Sequence, residues 1–289
     1  MAATLLPAPT MHNPIRIIAL DLDGTLLDSN KNLSAGNLAA LQRAANAGIE
    51  IVPTTGRFYG GMPEVIRNLP FVRYVITVNG GEAVDLHTGE VLYQALIPHQ
   101  QAVDIMTVLD QYPIIYDCYQ NNAAWMTAEQ KKHIDRLVSD IHYRKMLHEL
   151  RQPVPELKEV LMEREQGIQK IQLFTNQPEL RLQLMAELPN LFEDVCVSSS
   201  VSCNVEINQL HANKGEALWA LADHLGVDHE ATIAFGDGWN DLSMLKAAGV
   251  GVAMANACDE AKAAADWITL SCDEDGVAYG IEKYCFYEQ

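Results

Sequence analysis

The sequence predicts an α/β protein: a parallel sheet flanked by helices, interrupted midway by an inserted α+β domain. Three observations carry this. Short apolar runs at 15–20, 49–53, 74–78, 232–235 and 250–253 suit strands buried on both faces. Helical periodicities separate them in β-α-β order, at the beginning of the chain and again after residue 213, and right-handed crossovers turn that order into one sheet. Between the two stretches the alternation breaks, and strand and helix patterns mix.

The elements follow in order. The β-branched-rich run 15–20 turns polar at Asp21-Leu22-Asp23-Gly24-Thr25. Ser34 can cap a helix carrying Leu38, Leu41, Ala44 and Ala45, which Gly48 ends. The strand 49–53 leads at once into Thr54-Thr55-Gly56-Arg57, then a helix runs through Val65 and Ile66. The third strand, 74–78, closes at Asn79-Gly80-Gly81. Residues 82–84 and 91–93 flank a turn and read as a β-hairpin. The insert shows helix patterns near 99–110, 128–148 and 178–188, and strand-like runs near 113–118, 168–174 and 193–197. Residues 205–207 read as a strand re-entering the core. A helix at 213–225, strand at 232–235, helix at 241–248, strand at 250–253, helix at 259–265 and strand at 267–269 complete it, with Asp275 as cap of a last helix. The expected organisation is a leader at 1–14, core at 15–94, insert at 95–205 and core again at 206–289. The leader, with Pro7, Pro9 and Pro14 and no basic or long apolar segment, does not read as a signal peptide.

Composition narrows the function. With 289 residues, 48% hydrophobic and 20% charged, the chain is neither disordered nor fibrous. No run approaches the ~18 apolar residues of a membrane helix. Against 38 Asp+Glu stand 20 Lys+Arg, a net charge of −18 that repels nucleic-acid backbones and anionic lipid. The expected partner is therefore a small molecule, not nucleic acid or a membrane. If it is anionic, it needs a local positive site. Composition sets no oligomeric state. The six cysteines form no C-x-x-C pair and no H-E-x-x-H occurs, so reduced thiols in a cytoplasmic protein are expected and no zinc site is.

Four polar clusters follow predicted strands or open predicted helices, the edge where open α/β sheets bind ligands. Asp21 and Asp23, two apart on an extended chain, can point the same way. One could act as nucleophile and the other as general acid and base, though Asp-Gly equally marks a turn. In Thr54-Thr55-Gly56-Arg57, a hydroxyl and backbone N–H groups can hold phosphate oxygens, or the threonine can simply cap a helix. Lys214, in the first turn of its helix, opposes the helix dipole, which suggests a task, although an exposed lysine there costs only ~0.5 kcal/mol. Gly236-Asp237-Gly238-Trp239-Asn240-Asp241 supplies hard oxygen ligands of the type Mg²⁺ prefers. Asp21, Asp23, Asp237 and Asp241 cannot share a site uncompensated, because like charges raise each other's pKa. The sequence thus implies a cation between the first and last clusters, beside Lys214.

These four motifs, in this order, resemble those of the haloacid dehalogenase (HAD) superfamily, and most closely its Cof-type (class IIB capped) phosphatases. The resemblance runs from Ile15 to Tyr284, with the insert matched by position. It implies a Rossmann-like parallel-sheet core with an inserted α+β cap, which closes over the site and contacts substrate. It also implies a Mg²⁺-dependent phosphatase acting on small phosphorylated metabolites such as sugar phosphates through a phosphoaspartate. Asp21 would be the nucleophile and Asp23 the general acid and base. Leu22 (through its N–H), Thr55, Gly56, Lys214 and Asn240 would hold the phosphoryl group. Asp21, the Asp23 carbonyl and Asp237 would hold Mg²⁺, with Asp241 supporting it through water. Three alternatives remain: a phosphohexomutase-like phosphotransferase, a phospho-acceptor module of the receiver type, and a binding protein without activity. Asp23 and the insert argue against the receiver, which needs neither a general acid nor a cap.

Overall fold

A computed structural model describes residues 14–139, 141–199 and 201–286. Apart from Pro14, the expected leader lies outside them. The chain divides into two compact units. Among the described residues the first comprises 14–57, 62–94 and 213–286; the second comprises Phe58–Gly61 and Ala95–Ala212. Among the described residues, no helix is long and apolar enough to cross a membrane.

In the first unit five parallel strands stand in the spatial order Trp267–Ile268, Val250–Ala253, Thr232–Gly236, Ile17–Leu20, Glu50–Pro53. A parallel bridge from Thr54 to Ile76 continues the layer to Tyr74–Thr77, which opens an antiparallel sheet with Glu82–Asp85 and Val91–Gln94. The runs read as doubly buried strands are so: Ile17, Ile18, Ala19 and Leu20 are all inaccessible. One face packs Ile17, Ala19, Val52 and Ala234 against Ala217, Leu218 and Leu221 of the helix Lys214–Leu225. On the central strand, Phe235 is approached so closely by Gly280 of the helix Gly276–Ile281 that a Cβ there would stand 2.4 Å from the ring.

Chain order sets where a ligand can bind. From Ile17–Leu20 the chain moves outward to Glu50–Pro53, and it returns on the other side with Thr232–Gly236. These two central strands pair directly, Ile17 with Thr232 through Leu20 with Phe235. The switch of winding direction falls between them, and there the crossover helices leave a crevice at the carboxyl ends of the strands.

Capping differs from expectation at one end. Ser34 caps the helix Ala35–Asn46 by accepting the Asn37 N–H at 3.0 Å. Asp275, expected to cap the last helix, has φ 56° and makes no side-chain cap bond. Its carboxylate instead accepts the Ser34 hydroxyl, tying the beginning of one helix to that of another.

The second unit holds a six-stranded sheet in the order Val195–Ser198, Asn204–Gln209, Lys170–Phe174, Ile115–Gln120, Ala123–Thr127, Arg151–Val154. The run 205–207, expected to re-enter the core, belongs here: Glu206 pairs antiparallel with Gln172, and the first unit resumes only at Asn213. Alternation explains the placement. Val205 and Ile207 join an apolar cluster with Ile171, Leu173, Tyr116 and Cys118 under the helices His99–Leu109, Leu157–Arg164 and Pro178–Leu191, while Glu206 falls on the opposite face. The single helical pattern at 128–148 is broken into Ala128–Lys131, Ile134–Leu137 and Ile141–Leu150.

The opposite face of this sheet is polar yet buried. Arg151 Nε donates to Asp117 Oδ2 at 2.7 Å, and Arg151 Nη2 donates to the Tyr119 hydroxyl and to Gln172 Oε1. Lys170 pairs with Glu206 at 3.1 Å. Burial pushes the Asp117 carboxyl above its usual range against the pull of Arg151. Removing one partner of such a pair leaves an uncompensated charge, whereas replacing both costs much less. Arg151→Met should therefore lower unfolding free energy by about 3–5 kcal/mol, and the double variant Asp117→Leu/Arg151→Met should recover most of it, as read by urea denaturation. A double variant no more stable than the single one would refute this account of the pair.

Candidate active site

The site is assembled from the ends of the two central strands. Asp21 follows Leu20, and its N–H donates to Phe235 O at 3.0 Å, so it stands level with the end of the neighbouring strand. The chain then coils tightly: Leu26 N–H bonds Asp21 O, and Leu27 N–H bonds Leu22 O. Gly24 makes this possible. Its φ is +91°, and a Cβ at this position would lie 2.5 Å from Asp237 Oδ2, so a larger residue would push the first and fourth motifs apart.

Asp21, Asp237 and Asp241 converge. Each offers one carboxylate oxygen, and these atoms lie within 4.8 Å of one another. Lys214 is fully buried among them, its Nζ donating to Asp21 Oδ1 at 2.5 Å and to Asp241 Oδ1 at 2.6 Å. The lysine opens its helix behind Asn213, whose side chain caps by accepting the Glu216 N–H at 2.9 Å. The helix dipole is unfavourable for a cation there, and the two carboxylates reverse that balance. Thr25 Oγ1 donates to Asp237 Oδ1 at 2.8 Å. The second oxygen of Asp241 accepts the N–H groups of Asp237 and Gly238, both at 2.9 Å, so this carboxylate shapes the loop that carries Asp237.

The electrostatics follow from burial and proximity. Desolvation raises the Asp21 pKa well above the carboxylate range. Lys214 pulls it down, while Asp241 and Asp237 push it further up. Asp237 is pushed up to about 6, chiefly by burial and then by the charge of Asp241, with the Thr25 bond opposing. Burial alone would lower the Lys214 pKa, but Asp21 and Asp241 outweigh it and hold the ammonium charged. Three carboxylates against one ammonium leave a net negative cluster of hard oxygens, a donor set that fits a divalent cation such as Mg²⁺.

The remaining expected residues fall in two groups. Thr55 is buried, its Oγ1 accepting the Arg57 N–H at 3.2 Å, and Gly56 follows it. Asn240 Nδ2 donates to Asn79 Oδ1 at 3.1 Å. Leu22 buries its side chain in the core, so only its backbone is available to a ligand. The carboxylate of Asp23 is not part of the Asp21–Asp237–Asp241 group. Arg57 grips it with two bonds, Nε to Oδ2 at 2.8 Å and Nη2 to Oδ1 at 2.9 Å, and Lys31 approaches Oδ1 at 2.9 Å. Burial would raise its pKa, but Arg57 and Lys31 prevail and hold it below the usual carboxylate range. Trp239 is 63% exposed and does not pack beneath the loop.

Four residues that reach this site were given no role from the sequence, although Thr25 closes the first motif. Thr25 bonds Asp237, and Lys31 pairs with Asp23. Asn79 meets Asn240 and Gly56. Asn256 donates to Gly24 O at 2.8 Å and accepts the Cys272 N–H at 2.9 Å, which ties the first loop to the C-terminal segment.

Comparison with known proteins agrees with this arrangement. Residues 18–281 match the family model of the haloacid dehalogenase-like hydrolases. The phosphatase YwpJ of Bacillus subtilis is 32% identical over 92% of this chain and 98% of its own length. The 5-amino-6-(5-phospho-D-ribitylamino)uracil phosphatase YwtE of the same organism is 31% identical, over 93% of this chain and 98% of its own. Among solved structures, a haloacid dehalogenase-like hydrolase from B. subtilis superposes with a TM-score of 0.80 at 31% identity, covering 93% of this chain and 99% of that one. A parallel core whose switch point gathers the four motifs, together with these likenesses along nearly the whole chain, places it in the haloacid dehalogenase-like hydrolase family, among its Cof-type phosphatases.

Proposed function

We propose that this phosphatase hydrolyses small phosphorylated metabolites, sugar phosphates or similar phosphomonoesters, by way of a phosphoaspartate on Asp21. The observation that carries the reading is the buried contact of Lys214 with both Asp21 and Asp241 at the sheet's switch point. It fixes the rotamer of Asp21 and supplies positive charge where a phosphate would otherwise meet only carboxylates. The relative YwtE, named for a phosphorylated ribitylamino compound, supports a small phosphate ester as substrate.

In this reading a carboxylate oxygen of Asp21 attacks phosphorus, the P–O bond to the alcohol breaks, and Asp23 gives the departing oxygen a proton. Asp23 then takes a proton from water, which attacks the phosphoaspartate and releases inorganic phosphate. Phosphoryl transfer depends mainly on in-line positioning and neutralisation of the equatorial oxygens. Lys214, the Thr55 hydroxyl, the Leu22 and Gly56 N–H groups and the Asn240 amide do this. Arg57 and Lys31 hold Asp23 as the carboxylate, the form the second half-reaction needs. Proton delivery in the first half requires those pairs to loosen. Asp21, the Asp23 carbonyl and Asp237 would hold Mg²⁺, with Asp241 behind them; when bound, the ion offsets charge on the phosphoryl oxygens. The proposed setting is cytoplasmic.

Asp21→Asn should lower phosphate release from para-nitrophenyl phosphate by at least about three orders of magnitude. The variant should melt no lower than the wild type, because a buried like-charge repulsion is removed. Turnover near the wild-type level would remove Asp21 from its proposed role.

A second expectation concerns the cation. The folded pKa values of Asp21 and Asp237 lie above their unfolded values. Without metal, the folded chain therefore binds more protons than the unfolded one from about pH 4 up through the raised value, about 6 for Asp237. Across that window the metal-free chain loses stability as pH rises. A bound cation removes the penalty. Mg²⁺ added after chelation should therefore raise the melting temperature more at a pH well above 6 than well below it. Equal shifts on both sides would contradict cation binding by these carboxylates.

A further inference from the structure

After the strand Tyr74–Thr77 the backbone enters the left-handed region at three successive residues: Val78 at φ 52°, Asn79 at 58° and Gly80 at 93°. Glycine adopts this freely and asparagine tolerates it, but a β-branched valine rarely does. Such a conformation persists only where the surroundings over-determine it. Here they do. Val78 N–H donates to Arg57 O and Asn79 N–H to Thr55 O, both at 3.0 Å, so the turn is pinned on the second motif. Gly80 lies against the backbone of Asn213, where a Cβ would stand 2.2 Å from the carbonyl oxygen, so the turn also abuts the entrance to the Lys214 helix. The Asn79 side chain then reaches two motifs. Its Oδ1 accepts the Asn240 Nδ2 at 3.1 Å, and a Cβ on Gly56 would meet the same oxygen at 2.7 Å.

We propose that Asn79 is a positioning residue for the phosphoryl pocket and acts through Asn240. An amide nitrogen carries two N–H groups. By taking one, Asn79 Oδ1 fixes the plane of the Asn240 amide and leaves the other N–H to a phosphoryl oxygen. The strained turn is what brings Asn79 there: a residue at ordinary φ would direct its side chain elsewhere. The inference rests on the reading of Asn240 as a phosphoryl-holding residue.

Asn79→Gly tests it. Glycine suits the left-handed backbone, so the variant keeps the turn while losing the acceptor. The design is a double-mutant cycle on the full chain: wild type, Asn79→Gly, Asn240→Ala and both together. Each is measured for kcat and KM with para-nitrophenyl phosphate, for calorimetric binding of inorganic phosphate with Mg²⁺, and for melting temperature. Asn79→Gly should lower kcat/KM by about tenfold or more and weaken phosphate binding, with little change in melting temperature. In the Asn240→Ala background the same change should cost no more than about twofold, because its effect passes through the missing amide. Multiplicative effects would overturn the proposal, as would a single variant indistinguishable from the wild type. If no member of the set, including wild type, releases phosphate from the ester, the phosphatase reading fails, and the binding cycle still decides the coupling of Asn79 to Asn240.

Discussion

Three carboxylates meet within 4.8 Å of one another, and the buried Lys214 ammonium is the charge the chain sets against them. Much of the first unit follows from that constraint. Like charges so close and so poorly solvated raise one another's pKa, and burial adds to the effect, as Asp21 and Asp237 show. The cluster is stable in the ionised form only with added positive charge. Such a donor set fits a divalent cation, and in the proposed function that cation would draw a phosphate to a chain that carries −18 as a whole.

The fold produces the cluster by topology. Two parallel strands far apart in sequence pair at the switch point, so Asp21 and Asp237 emerge side by side from Leu20 and Gly236. Gly24 allows the two loops to touch, and Asp241 folds its own loop by accepting two N–H groups. The second motif and the turn at Asn79 close the arrangement from the next strand outward. Function here is geometry imposed on ordinary side chains. Aspartate, lysine and asparagine acquire their chemistry from where the strands end.

Much of this was legible in the sequence. Parallel strands buried on both faces leave β-branched runs, and polar motifs placed directly after them mark the ligand-binding edge. That is why Asp21, Thr55 and Asp237 stand out from the primary structure, whereas Lys214 stands out as a cation in a helix's first turn, where it opposes the dipole. Asp23 was harder, because spacing says where a carboxylate can point but not that Arg57 and Lys31 hold it apart from the other three. Asn79 and Asn256 were harder still, since each looks like a turn residue and each has a partner in this site more than 150 and 200 residues away respectively. In the second unit, Ala123–Thr127 and Arg151–Val154 were missed as strands. The first is rich in alanine, and the second contains a proline and a buried arginine where a sequence pattern looks for alternating apolar residues. The run at 205–207 was a strand, but which sheet it joins depends on tertiary pairing.

The central chemical claim is a covalent relay through Asp21, in which phosphorus is displaced twice. Each in-line displacement inverts the configuration at phosphorus, so two restore it. Hydrolysis of a phosphorothioate ester made chiral by its sulfur and two oxygen isotopes, run in water carrying the third isotope and followed by analysis of the released thiophosphate, tests this directly. The account predicts retention. Net inversion would mean that water attacks the ester in a single step, and it would contradict the role given to Asp21.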